Sequence, residues 1–152
     1  MKKKLSLLLA LLMLASVAAL AACSKVEPIT VKVVINVAEE GDRGRREVTE
    51  TILETDFAYE SSTPTLNDLL VKLQDAGQIR LVTEADGDNV IVTGINDLVP
   101  KTDETETTME DYDWYVYIND GDAEDDSLSS TKAIAANDTV TITYMHYSIA
   151  KE

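Results

Sequence analysis

Tyr112-Asp113-Trp114-Tyr115-Val116-Tyr117-Ile118-Asn119 holds the chain's one Trp and three of its six Tyr. Side chains alternate across a strand with period 2, so Trp114, Val116 and Ile118 share one face, and Tyr115, Tyr117 and Asn119 the other. No other segment combines this aromatic density with so clean an alternation. The stretch is expected to be a central strand of one folded domain, with Trp114 turned to the core.

Working outward, Asn137-Asp138 is a turn pair, after which Val140, Ile142 and Tyr144 alternate with Thr141, Thr143 and Met145 in a last strand. On the other side, residues 100–111 (PKTDETETTMED) are polar and aperiodic and are expected to be a surface loop. So is the acidic run 120–130 (DGDAEDDSLSS). Leu66, Leu69, Leu70 and Leu73 recur at i, i+3, i+4 and i+7, one apolar stripe of a helix over about 65–76. Thr63 before Pro64, or Thr65 with Asp68 three residues on, supplies the start signal, and Gly77 the stop. Ile29, Val31, Val33, Ile35 and Val37 form a first strand. A charged loop follows over 38–46, then a second strand over about 47–55 with Val48 and Ile52 on one face. Residues 79–83 are a short strand candidate, and 90–95 (VIVTGI) are β-rich. The pattern predicts an α+β fold: a mixed sheet of four to five strands with one helix packed on one face, Leu66, Leu69, Leu70 and Leu73 meeting Trp114, Val33 or Ile142.

The N-terminus gives an address. Met1-Lys2-Lys3-Lys4 is basic, Leu5 to Leu20 is apolar apart from Ser6 and Ser16, and Leu20-Ala21-Ala22-Cys23 follows. The apolar run is about 16 residues, short of the roughly 20 that span a bilayer. Its order of charge, apolar run and small residues is that of a secretory signal. Leu-Ala-Ala-Cys resembles a bacterial lipobox, which implies cleavage before Cys23 and a lipid on its thiol. The organisation is then residues 1–22 signal peptide, 23–28 lipidated tether and 29–152 folded domain. Two acyl chains make a stable anchor where one is marginal. Cys23 is the only cysteine, so a lipidated Cys23 leaves no thiol for an intramolecular disulfide. Loss of the three signal lysines leaves 10 basic against 28 acidic residues, a net charge of −18. Such a domain is unsuited to nucleic acid and is repelled by anionic membrane surfaces.

Four motifs in order, Thr65-Leu66-Asn67-Asp68-Leu69-Leu70, Val92-Thr93-Gly94-Ile95-Asn96-Asp97-Leu98, Tyr112-x-Trp114-x-x-x-Ile118-Asn119 and Ile134-x-x-Asn137-Asp138-x-Val140, run through the chain. The series resembles the transcobalamin C-terminal-like family of surface lipoproteins and extracellular proteins of Gram-positive bacteria. It covers about Ile29 to Tyr147. The resemblance implies a β-grasp-like fold and, as one ligand class, cobalamin or a related corrinoid. In animal transcobalamins the related domain closes over cobalamin together with a helical domain, of which this chain's patterning holds no counterpart. The family usually has Asn-Gly after the Trp strand, where this chain has Asn119-Asp120-Gly121, and Gly-Asp in the last turn, where it has Asn137-Asp138. Asn tolerates positive φ, so the turns are expected to survive.

No catalytic constellation is visible, and a non-catalytic protein without cofactor or metal is expected. His146, the only histidine, is expected at an exposed strand end. Asp120-x-Asp122-x-Glu124 fails the twelve-residue calcium-loop pattern, which needs Gly at position 6 and Glu at position 12 where Asp125 and Thr131 stand. There is no G-x-S-x-G and no Gly-rich phosphate loop. The candidate contact residues are Tyr112, Tyr115, Tyr117, Asn119 and Tyr147, because tyrosines are rigid, amphipathic binding groups. A flat, Tyr-bearing sheet face with acidic loops suits an extracellular protein or glycan, a basic one in particular. A small molecule is the alternative.

Overall fold

The computed structural model describes residues 26–87, 89–121 and 128–151. The signal segment, Cys23 and the acids Asp122 and Glu124 lie outside the described residues. The elements are β1 (Ile29–Gly41), β2 (Arg45–Tyr59), α1 (Leu66–Asp75), β3 (Leu81–Asp86), β4 (Asn89–Ile95), β5 (Lys101–Glu104), β6 (Thr108–Ile118) and β7 (Thr139–Ala150). Five strands form one mixed sheet in the order β2-β1-β7-β6-β5, and β3 and β4 form a separate antiparallel pair. β1 and β7 run parallel at the centre, and their outer neighbours are antiparallel. This is an α+β fold. Among the described residues no helix is long and apolar enough to cross a membrane.

Register explains the core. Val33 opposes Val140, which opposes Ile118; Ile35 opposes Ile142, which opposes Val116. These residues share one face with Trp114, and Leu66, Leu69, Leu70 and Leu73 of α1 join the same buried cluster. Burying four leucines and a tryptophan supplies the main driving force, at about 25 cal/mol per Å² of apolar surface removed from water.

The helix is fastened at both ends. Thr65 Oγ1 accepts from the Asp68 N–H at 3.2 Å. The Leu66 and Asn67 N–H groups donate to the Lys132 and Ser130 carbonyls at 3.1 Å each, so the orphan donors of the first turn find partners. At the other end Gly77 takes φ 70°. Its N–H bonds the Gln74 carbonyl, and the Gln78 N–H bonds Leu73, a Schellman closure.

Several expected boundaries move. The charged loop after β1 is mostly ladder, because the hairpin closes only at a short 3-10 turn, Asp42–Gly44. β2 runs through Phe57 and Tyr59. Val48 and Ile52 do not share a face, because two register shifts, one passing Ile52 and one passing Thr49, bulge β2 against β1. The expected strand at 79–83 begins only at Leu81, with Ile79 buried beside the helix end. Residues 100–111 are not a loop. They form edge strand β5, a turn and the start of β6. Thr105 Oγ1 closes that turn by accepting the Thr107 and Thr108 N–H groups. All four β5 residues are exposed, and a strand that buries neither face carries no apolar alternation to read.

Candidate functional site

The two faces of the sheet differ. On the face away from α1, Tyr115 opposes Thr143 and Tyr117 opposes Thr141. Tyr115 and Tyr147 meet edge to face with centroids 5.9 Å apart. The Arg46 guanidinium lies 4.4 Å over the Tyr117 ring and donates to Thr143 Oγ1 at 3.4 Å. Beneath this layer Ala38, Thr143 and Met145 are buried. Burial, with the Tyr115 hydroxyl beside it, pushes the Tyr147 phenol well up. Tyr115, Tyr117 and Tyr147 are therefore brought together as expected, but as a half-buried roof over the strands rather than an open platform.

Asn119 serves the turn instead. Asn119 and Asp120 both take φ 56°, and the Gly121 N–H returns to the Ile118 carbonyl at 3.3 Å. The Asn119 amide oxygen accepts the Thr139 N–H at 2.9 Å, and its amide nitrogen donates to Asp138 Oδ1 at 2.7 Å. Both ends of the amide are thus engaged in tying β6 to the start of β7. Asn137 takes φ 70°, so the left-handed turn positions survive on Asn as expected.

Tyr112 is parted from Tyr115, Tyr117 and Tyr147. It shares the face of Trp114 and opposes His146. Here a cleft of about 750 Å³ opens, lined by Val37, Glu50, Ile52, residues 96–99, Lys101, Tyr112 and Tyr144. Four residues cross the sheet in one row, Glu50 on β2, Val37 on β1, Tyr144 on β7 and Trp114 on β6. The next row is Glu39, His146, Tyr112 and Lys101. Tyr144 stacks on Tyr112 with centroids 5.9 Å apart and meets Trp114 at a tilt of 50° and 4.9 Å, and its hydroxyl donates to the Val99 carbonyl at 2.6 Å, tying the loop wall to the sheet. Lys101 Nζ stands 4.2 Å over the Tyr112 ring and 2.9 Å from Asp103. A flat face without an enclosing pocket was expected; the concave surface lies on the helix-bearing side, where α1 stops short of the sheet's end.

His146 is not an exposed strand-end residue. β7 continues to Ala150, and the His146 ring is half-buried and nearly parallel to Tyr112 at 4.4 Å. Its Nε2 bonds Glu110 Oε2 at 2.5 Å, and Ser148 Oγ donates to Glu110 Oε1 at 2.9 Å. Those bonds, His146's first, hold the Glu110 carboxyl below its ordinary value. The serine hydroxyl serves the carboxylate and not the imidazole, so the three do not form a nucleophile relay. Among the described residues no group of three His, Cys, Asp or Glu side chains is placed to hold a metal ion. Glu50, Val37, Ile52, Tyr144 and Lys101 are site residues that sequence reasoning missed. The period-2 count that puts Tyr112 in phase with Trp114 was the available signal; the bulges that bring Glu50 and Ile52 to this face left none. Compared with protein-family models and with curated proteins, the chain finds a match in neither.

Proposed function

We propose that the protein is a non-catalytic binding module, held on the outer face of the cell membrane by a lipid on Cys23, that takes an extracellular protein or glycan into the Tyr112–Tyr144 cleft. The observation that carries the reading is the cleft of about 750 Å³ with an aromatic floor, aliphatic walls and a polar rim. Binding sites share that composition and are largely preformed. A β-grasp-like assignment is supported by the parallel central pair, the antiparallel outer strands and the single helix across one face.

The cleft volume also favours a second reading. It falls in the range of roughly 300–1,000 Å³ that encloses drug-sized molecules. That brings small-ligand capture, with a corrinoid as the resemblance's candidate, level with a macromolecular partner. Calorimetric titration of the mature protein with cobalamin separates the two. Micromolar or tighter binding, lost in a folded Tyr112→Ala variant, selects the small ligand. No heat, together with salt-sensitive capture of a surface protein or glycan, selects the macromolecule. For the anchor, Cys23→Ala is expected to release the protein or leave the precursor uncleaved; detergent-phase partitioning identical to wild type would refute it.

A further inference from the structure

The cleft's chemistry points to one kind of occupant. Its charged lining residues are Glu50, Asp97 and Lys101. Asp97 is paired with Arg80, and Lys101 with Asp103. Glu50 has no ion pair or hydrogen bond among the described residues. Its position is a product of the ladder. With regular alternation from Leu53, which opposes Ile35, residue 50 would fall on the opposite face. The shift past Ile52 instead sets Glu50 against Val37, on the face of Tyr144 and Trp114. Bulges re-aim side chains in this way. Glu39, in the next row, adds a second carboxylate 4.0 Å from His146 Nδ1. A carboxylate with no counter-ion among the described residues thus stands at the end of an apolar and aromatic row. The floor already receives an ammonium, since Lys101 lies on Tyr112.

We infer that the cleft receives a lysine side chain from a basic segment of an extracellular protein. The ammonium meets Glu50, and the aliphatic stem lies along Val37, Ile52 and Tyr144. Glu50 and Tyr144 sit two strands apart, roughly 10 Å. The mature charge of −18 draws such a segment in over distance, while Glu50 fixes where its cation rests. This inference rests on the binding-module reading and adds the partner's chemistry.

The test uses the mature protein in neutral detergent and three capped probe peptides, one alternating Lys and Gly and the others with Glu or Ser in place of Lys. Trp114 emission is the readout, because Trp114 is the only Trp and contacts Tyr144 in the cleft floor. The lysine peptide is expected to bind, more weakly as salt rises, and the other two not. Glu50→Gln is expected to weaken it about fivefold, the upper end for an exposed ion pair, and Glu50→Lys further. Glu84→Gln and Glu84→Lys on β3 change the net charge identically and are expected to leave binding within about 1.5-fold. Equal effects at positions 50 and 84 would overturn the inference, since the attraction would then belong to the whole surface. Lack of lysine-peptide binding would also overturn it. If cobalamin or a neutral oligosaccharide then changes Trp114 emission, and Tyr112→Leu abolishes the change, only the ligand's chemistry was wrong. Silence from every probe removes the binding-module reading as well.

Discussion

Asn119→Ala tests whether a residue read from sequence as a contact group is a structural fastening. Asn119 takes φ 56° and uses its amide oxygen on the Thr139 N–H at 2.9 Å and its amide nitrogen on Asp138 Oδ1 at 2.7 Å. Alanine there carries the left-handed penalty of an ordinary L-residue, about 1 kcal/mol beyond what Asn bears. It also loses two exposed hydrogen bonds whose net worth is together about 1 kcal/mol. The expected cost is about 2 kcal/mol, read as a drop of about 1 M in the urea midpoint. Asn119→Gly separates the terms. It keeps the turn geometry without strain and loses only the bonds, so it is expected to cost about 1 kcal/mol. Ligand affinity should not change, because seven residues of strand, roughly 23 Å, separate Asn119 from Tyr112. An alanine variant within about 0.5 kcal/mol of wild type, a glycine variant no better than alanine, or lost binding at unchanged stability would each refute the assignment.

Leu69 is fully buried against the sheet, so Leu69→Ala is expected to cost about 2–5 kcal/mol by cavity formation, measured by urea denaturation. Burial, then the Asp68 carboxylate, pushes the Tyr59 phenol from 10.0 up to about 12. The native state keeps that proton where the unfolded chain releases it, so this contribution is complete below pH 10 and fades as pH rises through the window. Tyr59→Phe should therefore gain on wild type by about 1 kcal/mol between pH 7 and pH 11; a gap independent of pH would contradict it. Glu110 has its carboxyl lowered from 4.5 by the bond from His146 and then that from Ser148, so its contribution is present above pH 4.5 and is lost as pH falls through the lowered value. Glu110→Gln should flatten that part of the acid limb of thermal stability, and an unchanged limb would show that the bond contributes nothing.

What could be read from the sequence follows from what leaves a periodic trace. Leu66, Leu69, Leu70 and Leu73 gave the helix and its buried face, and Thr65 and Gly77 its ends, because caps are local chemistry. β1 and the Trp strand were legible because each buries one face and leaves much of the other exposed or half-exposed; the start of β7 is buried on both faces and was legible because threonines on its second face keep the alternation. β5 was not legible, since an exposed edge strand rewards no apolar alternation. Residues 38–41 and 45–46 were missed because their charges read as loop while the β1–β2 ladder continued, and 56–59 prolong β2 beyond the expected stretch. Of the candidate site, the meeting of Tyr115 with Tyr147 follows from period 2 and the antiparallel register. The cleft does not. It needs Val37 and Tyr144 side by side, and the parallel pairing of β1 with β7 joins segments about a hundred residues apart with no local signal between them.

The cleft itself follows from a mismatch of lengths. α1 has 10 residues, about 15 Å of helix. β1 and β2 have 13 and 15 residues, roughly 40–50 Å of strand. A helix so short covers one end of the sheet, where Val31, Val33, Val140 and Val116 are buried. The same face at the far end must be dressed otherwise, and an unbroken apolar alternation there would leave an exposed patch of the kind that aggregates. The chain changes its residues instead. Tyr144 gives the floor a hydroxyl that anchors the 96–101 wall, Tyr112 and His146 follow, and the bulge at Ile52 delivers Glu50 where alternation would have delivered Thr51. Core and cleft are thus two ends of one sheet face, divided where the helix stops.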